Sequence, residues 1–122
     1  MTRSSGILLP VSALPGPCGI GDLGTAAREF IDFLAAAGQR YWQILPLNPP
    51  DSAHSPYLSA STFAGSTDLL SPEPFIARGA LTASEVRSVD WGGDPMRVDY
   101  GRVHTGKTAL WAAAFAREQA AV

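Results

Sequence analysis

Charge is scarce in this chain. Only 16% of its residues are Asp, Glu, Lys or Arg, against roughly 25% in an average soluble domain. Nine basic residues against eleven acidic ones leave a net charge of −2. With no basic field, nucleic acid and anionic membrane surfaces are excluded as partners. One cysteine, Cys18, rules out an internal disulfide and points to a reducing compartment, so a cytoplasmic location is expected. Two histidines, His54 and His104, stand fifty positions apart with no paired cysteine. That spacing builds no metal site, and none is expected. Apolar runs are short. Ile7–Leu9 follows Arg3 but is cut by Pro10, Pro15 and Pro17, so it falls below the about 7–15 apolar residues of an export signal. Nothing approaches the roughly 20 apolar residues of a membrane span.

What the chain does have is proline placed with effect. Tyr41 to Leu45 mixes aromatic and aliphatic residues, as a strand covered on both faces does. Pro46 ends it, having no N–H to donate. Pro49, Pro50 and Pro56 then stiffen a long loop that closes on Ser55-Pro56-Tyr57. A stiff loop at the C-terminal end of a buried strand is where α/β proteins place binding residues.

Upstream, Gly6 to Val11 reads as a first buried strand. Gly19 to Gly24 leads into a helix running to about Ala37. Leu23, Ala27, Phe30, Ile31 and Leu34 share one face of it, and Arg28, Glu29 and Asp32 the other. Asp22 is the expected N-cap and Gly38 the expected stop. Residues 6–46 thus form strand, helix, strand, with a connection of crossover length that predicts parallel pairing. Further on, Leu69–Ala77 has room for one helical turn. Thr82-Ala83-Ser84-Glu85 matches a capping box, Trp91–Pro95 is a turn, and a last helix starts near Tyr100 or Val103. That helix meets no stop signal before Val122, which reads as a chain cut short.

Several chemistries compete. Gly19-x-Gly21-x-x-Gly24 has the order of a dinucleotide fingerprint. Against it, a Pro-rich loop separates Leu9 from Gly19, Asp22 would face the pyrophosphate, and the second strand ends without an acidic residue for a ribose. Nucleotide binding stays open as an alternative, as does a non-catalytic truncated module. No Gly-x-Ser-x-Gly elbow occurs, and no two carboxylates sit at a recognisable catalytic spacing. Ser55 and Tyr57 offer a hydroxyl and an aromatic face with a polar tip, a combination that suits sugars. Tyr57 also has the simpler reading of packing the loop onto the sheet.

Longer motifs narrow the choice. Arg3-Ser-Ser-Gly-Ile-Leu-Leu-Pro, Ser12-Ala-Leu-Pro-Gly-Pro-Cys-Gly-Ile-Gly-Asp-Leu-Gly and Ala37-Gly-Gln-Arg-Tyr-Trp-Gln-Ile-Leu-Pro-Leu resemble the opening of 4-alpha-glucanotransferases of the amylomaltase type. So do Ser55-Pro-Tyr57, Phe63-Ala-Gly65, and Val98-Asp-Tyr100 followed by Lys107, in the same order. The resemblance implies the N-terminal portion of a (β/α)8 TIM barrel. Residues 1–66 would be its first two strands, the helix between them and a substrate loop. Residues 67–122 would begin an inserted, mostly helical subdomain.

The implied activity is retaining transfer of α-1,4-glucan segments to a sugar 4-hydroxyl, with an Asp nucleophile, a Glu acid/base and a second Asp. In the family those three carboxylates lie on later strands, so none is assigned within this chain, and no cofactor is needed. By motif match Ser55 and Tyr57 would touch the donor sugar of a maltooligosaccharide. This chain departs from the family around them. Ala53-His54 stands where Gly-Asp is common, Leu58 where Gln is, and Ser52 near a Tyr that serves a second glucan site. A piece holding only part of the barrel is expected to be inactive, and to self-associate through bare strand edges.

Overall fold

A computed structural model describes residues 3–121. Strand β1 is Gly6–Leu8, helix α1 is Thr25–Ala36 and strand β2 is Tyr41–Gln43. The strands pair in parallel, Gly6 with Tyr41 and Leu8 with Gln43, as the crossover length requires. Short helices α2 (Glu73–Ala77) and α3 (Ala83–Ser88) follow. Helix α4, Tyr100–Ala120, is the longest element.

Both strands are shorter than the apolar pattern predicts. The ladder is extended by one bond at each end, the Arg40 amide donating to the Ser5 carbonyl at 2.9 Å and the Leu9 amide to the Gln43 carbonyl at 3.0 Å. Pro10 has no N–H with which to continue it, and Val11 opens a 3-10 turn instead. Nor are the strands buried. Ile7 is 42% exposed, Leu8 57% and Tyr41 64%. Successive strand residues face opposite sides, yet all three residues of β1 are exposed, and in β2 only Trp42 is half-buried. Trp42 packs its ring edge-on against Phe30 of α1 at 5.1 Å and donates its indole N–H to the Leu9 carbonyl at 2.8 Å. Tyr41 and Gln43 meet nothing equivalent.

Helix α1 starts later than the sequence pattern predicts. Its cap position is Gly24, and Asp22 does not cap it. Ala27 and Leu34 are buried as expected, Phe30 is half-buried, and Leu23 and Ile31 are exposed. The stop behaves as predicted. Gly38 lies at φ +71°, its amide bonds the Ala35 carbonyl, and the Gln39 amide bonds Leu34. This is the Schellman pattern, which needs a residue free to enter the left-handed region.

Two buried clusters hold the chain together. Val11, Leu14 and Ala27 pack with Phe30, Trp42, Leu47 and Leu69. Cys18 packs with Ala80, Leu81, Val86, Leu110 and Ala114, backed by Phe75, Trp91 and Trp111. The second cluster joins the N-terminal loop to α3 and α4. The predicted capping box of α3 is present in both directions, Thr82 to Glu85 and back. Hydrogen bonds from Arg117 and Thr82 hold the Glu85 carboxyl down at about 2, against a usual 4.5.

Candidate functional site

The predicted substrate loop is pinned at several points. Its two limbs are joined where the Ser66 amide donates to the Leu47 carbonyl at 2.7 Å. The Asn48 amide group donates to the carbonyls of Ser61 and Ala64 at 3.0 and 3.1 Å. Inside the loop, Asp51 organises the turn that carries the predicted contacts. Its Oδ1 accepts from the amides of Ala53 and Ser55, each at 3.1 Å. Its own amide donates to Leu58 and its carbonyl accepts from His54. An Asp side chain turned back on its own backbone stabilises such a turn without help from a helix or sheet.

Ser55 and Tyr57 sit on this turn as adjacent presentations. Ser55 is half-buried, its Oγ accepting from the Tyr57 amide at 3.3 Å. The Tyr57 ring is 70% exposed and is not wedged beneath aliphatic neighbours. A cleft of about 260 Å³ opens beside the loop. Its wall runs from Pro10, Val11 and Ile20 through Leu45, Pro46 and Asn48 to His54, Pro56, Asp68 and Tyr100. Neither Ser55 nor Tyr57 lines it. Its single carboxylate, Asp68, faces His104 Nδ1 at 3.2 Å.

His54, in the same loop, has a partner far away in sequence. It is the one non-glycine residue at positive φ, 59°, among the described residues. Its ring lies flat on Tyr100 of α4, centroids 4.2 Å apart and planes 10° from parallel.

The glycine-rich stretch has a packing role. A Cβ on Gly19 would fall 2.6 Å from the Trp91 carbonyl, on Gly21 2.2 Å from that of Val11, and on Gly24 2.5 Å from Ser71 Oγ. The α1 N-terminus, where a pyrophosphate would sit, is already filled. The Glu73 carboxylate accepts from the Thr25 amide at 2.9 Å and its hydroxyl at 2.8 Å, and pairs with Arg28 at 2.9 Å. A residue 48 positions downstream thus does the capping expected of Asp22. Glu73→Ala is expected to lower stability by about 1 kcal/mol, the usual cost of a lost cap. The Arg28 pair adds little, being 62% and 40% exposed. A urea midpoint equal to wild type would contradict this.

Asp22 serves elsewhere. Its Oδ1 accepts from the Gly24 amide at 3.0 Å and its Oδ2 faces Lys107 Nζ at 3.3 Å. Lys107 also donates to the Leu70 carbonyl at 2.7 Å. Both side chains are out of water, at 7% and 0% exposure. Burial raises the Asp22 carboxyl above its usual value although Lys107 and the Gly24 amide pull it down. Burial also lifts the neighbouring Cys18 thiol to about 11, so it is no nucleophile at neutral pH. The signal for Lys107 was in the sequence: it falls in register with Val103, Leu110 and Ala114, on the apolar stripe of α4. Among the described residues no three of His, Cys, Asp and Glu gather to hold a metal. No helix among them is long and apolar enough to cross a membrane.

The 4-alpha-glucanotransferase family, glycoside hydrolase family 77, matches residues 9–122. The chain is 44% identical to the 4-alpha-glucanotransferase of Streptococcus pneumoniae over 108 residues, 88% of this chain and 21% of that protein. It is 46% identical to that of Thermus thermophilus over 107 residues, 88% and 20%. Among solved structures it is similar to amylomaltase from Streptococcus agalactiae in complex with acarbose. There the TM-score is 0.89 at 35% identity, covering 93% of this chain and 23% of the other. The chain therefore spans about a fifth of its relatives' length, and its β1–α1–β2 unit is part of a TIM barrel. Matched along nearly all of its own length, the chain belongs to the 4-alpha-glucanotransferase family.

Proposed function

We propose that the whole protein of which this chain is a part transfers α-1,4-glucan segments from a maltooligosaccharide donor to a sugar 4-hydroxyl, with retention. The family match over residues 9–122 carries this reading. Ser55 and Tyr57 are assigned to the donor sugar. A pinned turn presents the two together, and the ring is open to a ligand. The flat phenol suits the C–H face of a pyranose and its hydroxyl the polar edge. Residues 1–66 belong to the barrel in this reading, and residues 67–122 begin the inserted subdomain. A cytoplasmic location and a glucan partner go with it; the similar amylomaltase is known in complex with acarbose.

The test uses the full-length enzyme with maltotriose. Wild type should yield glucose together with longer maltooligosaccharides. Tyr57→Ala should lower kcat/KM by about tenfold, the worth of an aromatic platform of about 1.4 kcal/mol. Thermal stability should hardly move, because the ring is mostly exposed. Unchanged kinetics would remove Tyr57 from the site. Absence of any transfer by the wild type would overturn the function.

A further inference from the structure

The stacked pair His54–Tyr100 stands where the substrate loop meets α4. We propose that His54 is a positioning residue. Through its stack on Tyr100 it clamps the loop onto the first turn of α4 and so sets where Ser55 and Tyr57 meet the donor sugar. The proposal rests on the glucanotransferase reading for its ligand and on the geometry for the clamp.

Three observations carry it. First, His54 immediately precedes Ser55-Pro56-Tyr57, and Pro56 leaves little slack between them. A displacement of His54 is therefore passed on to Tyr57. Second, His54 holds φ 59°, a region few non-glycine side chains adopt. A strained backbone persists where its surroundings determine it: the Asp51 bonds hold the turn, and the ring contact at 4.2 Å anchors that turn to α4. Third, the pair is a partition. His54 and Tyr100 line both the apolar cleft and a second, polar cleft formed with Gly92, Asp94, Arg97 and Asp99. Loosening the stack would merge the two. The loop's internal bonds through Asp51 shape the turn; the stack fixes that turn against the body of the protein.

The experiment compares four single variants and one double variant of the full-length enzyme with maltotriose as donor. His54→Asn removes the ring while suiting positive φ better than most residues, so any loss comes from the missing stack. It should raise KM about 2- to 12-fold, the range an aromatic pair is worth, with kcat less affected. Tyr100→Leu should do the same, and the two together no more than either alone. His54→Phe and Tyr100→Phe keep a ring and should restore most of the wild-type KM. Chymotryptic cleavage after Tyr57 should quicken in His54→Asn and Tyr100→Leu at an unchanged melting temperature.

A KM equal to wild type in His54→Asn, or additive effects in the double variant, would overturn the clamp. So would loss of kcat and melting temperature together without a change in KM, the mark of a merely structural role. If wild type itself transfers nothing from maltotriose, the glucanotransferase reading falls, and His54 with it as a donor-positioning residue. Cleavage after Tyr57 then decides whether the stack holds the loop at all.

Discussion

Replacing Lys107 by methionine is expected to cost the fold about 3–5 kcal/mol, the penalty for stripping a buried charge of its partner. Methionine keeps most of the stem's volume, so the effect isolates the ammonium. With it gone, the Asp22 carboxylate loses its counter-ion at 3.3 Å and the Leu70 carbonyl its donor at 2.7 Å. Water cannot replace them readily, since Lys107 is 0% and Asp22 7% exposed. The contrast is Arg28→Met. That pair with Glu73 is short but lies in solvent, where such pairs are worth about 0–1 kcal/mol. Urea midpoints of the two variants should differ by several-fold in energy. Equal, small shifts would mean that the interior pair is not what binds α4 to the N-terminal loop. Asp22→Leu combined with Lys107→Met should recover most of the loss, because removing both charges removes the desolvation cost as well.

The pH dependence follows from the same pair. Asp22's folded pKa is raised, chiefly by burial, so between its unfolded and folded values the native state binds more protons than the unfolded chain. Stability from this group therefore declines as pH rises through that window and is level above it. Lys107→Met removes an interaction that lowers the pKa, which raises it further and moves the window upwards. The deficit of the variant against wild type should accordingly shrink as pH falls, as the lone carboxyl takes up a proton.

Much of the architecture was legible because it depends on local rules. The helix of α1 follows from the spacing of Ala27, Phe30 and Leu34, its end from Gly38, and the α3 start from Thr82 and Glu85. The parallel pairing follows from the length of the connection. What was not legible depends on residues far apart in sequence. Asp22 sits where a cap belongs, yet Glu73 caps α1 and Asp22 turns to Lys107, 85 positions away. The burial expected of both strands assumes a covered sheet, and among the described residues a helix covers one side only. In the loop, Ser55 and Tyr57 are proposed as sugar contacts on their motif, whereas His54 became notable only through its ring partner on α4.

The isolated chain of 122 residues is expected to release no glucose from maltotriose above the blank, under conditions where the full-length enzyme turns over. Retaining transfer needs two carboxyl groups about 5–5.5 Å apart, one to attack and one to deliver a proton. The cleft beside the loop is lined by one, Asp68, and that one faces His104. A complete barrel takes roughly 250 residues, and two parallel strands leave outer edges free to pair with another chain. Ile7, Leu8, Ile31, Phe33 and Tyr41 are all more than a third exposed, so apolar surface adds to that tendency. Size-exclusion chromatography of the isolated chain should therefore show association that grows with concentration. Turnover by a well-behaved monomer would mean that a working acid and nucleophile lie among its own eleven carboxylates. The assignment of Ser55 and Tyr57 as contacts for chemistry done elsewhere would then have to be abandoned.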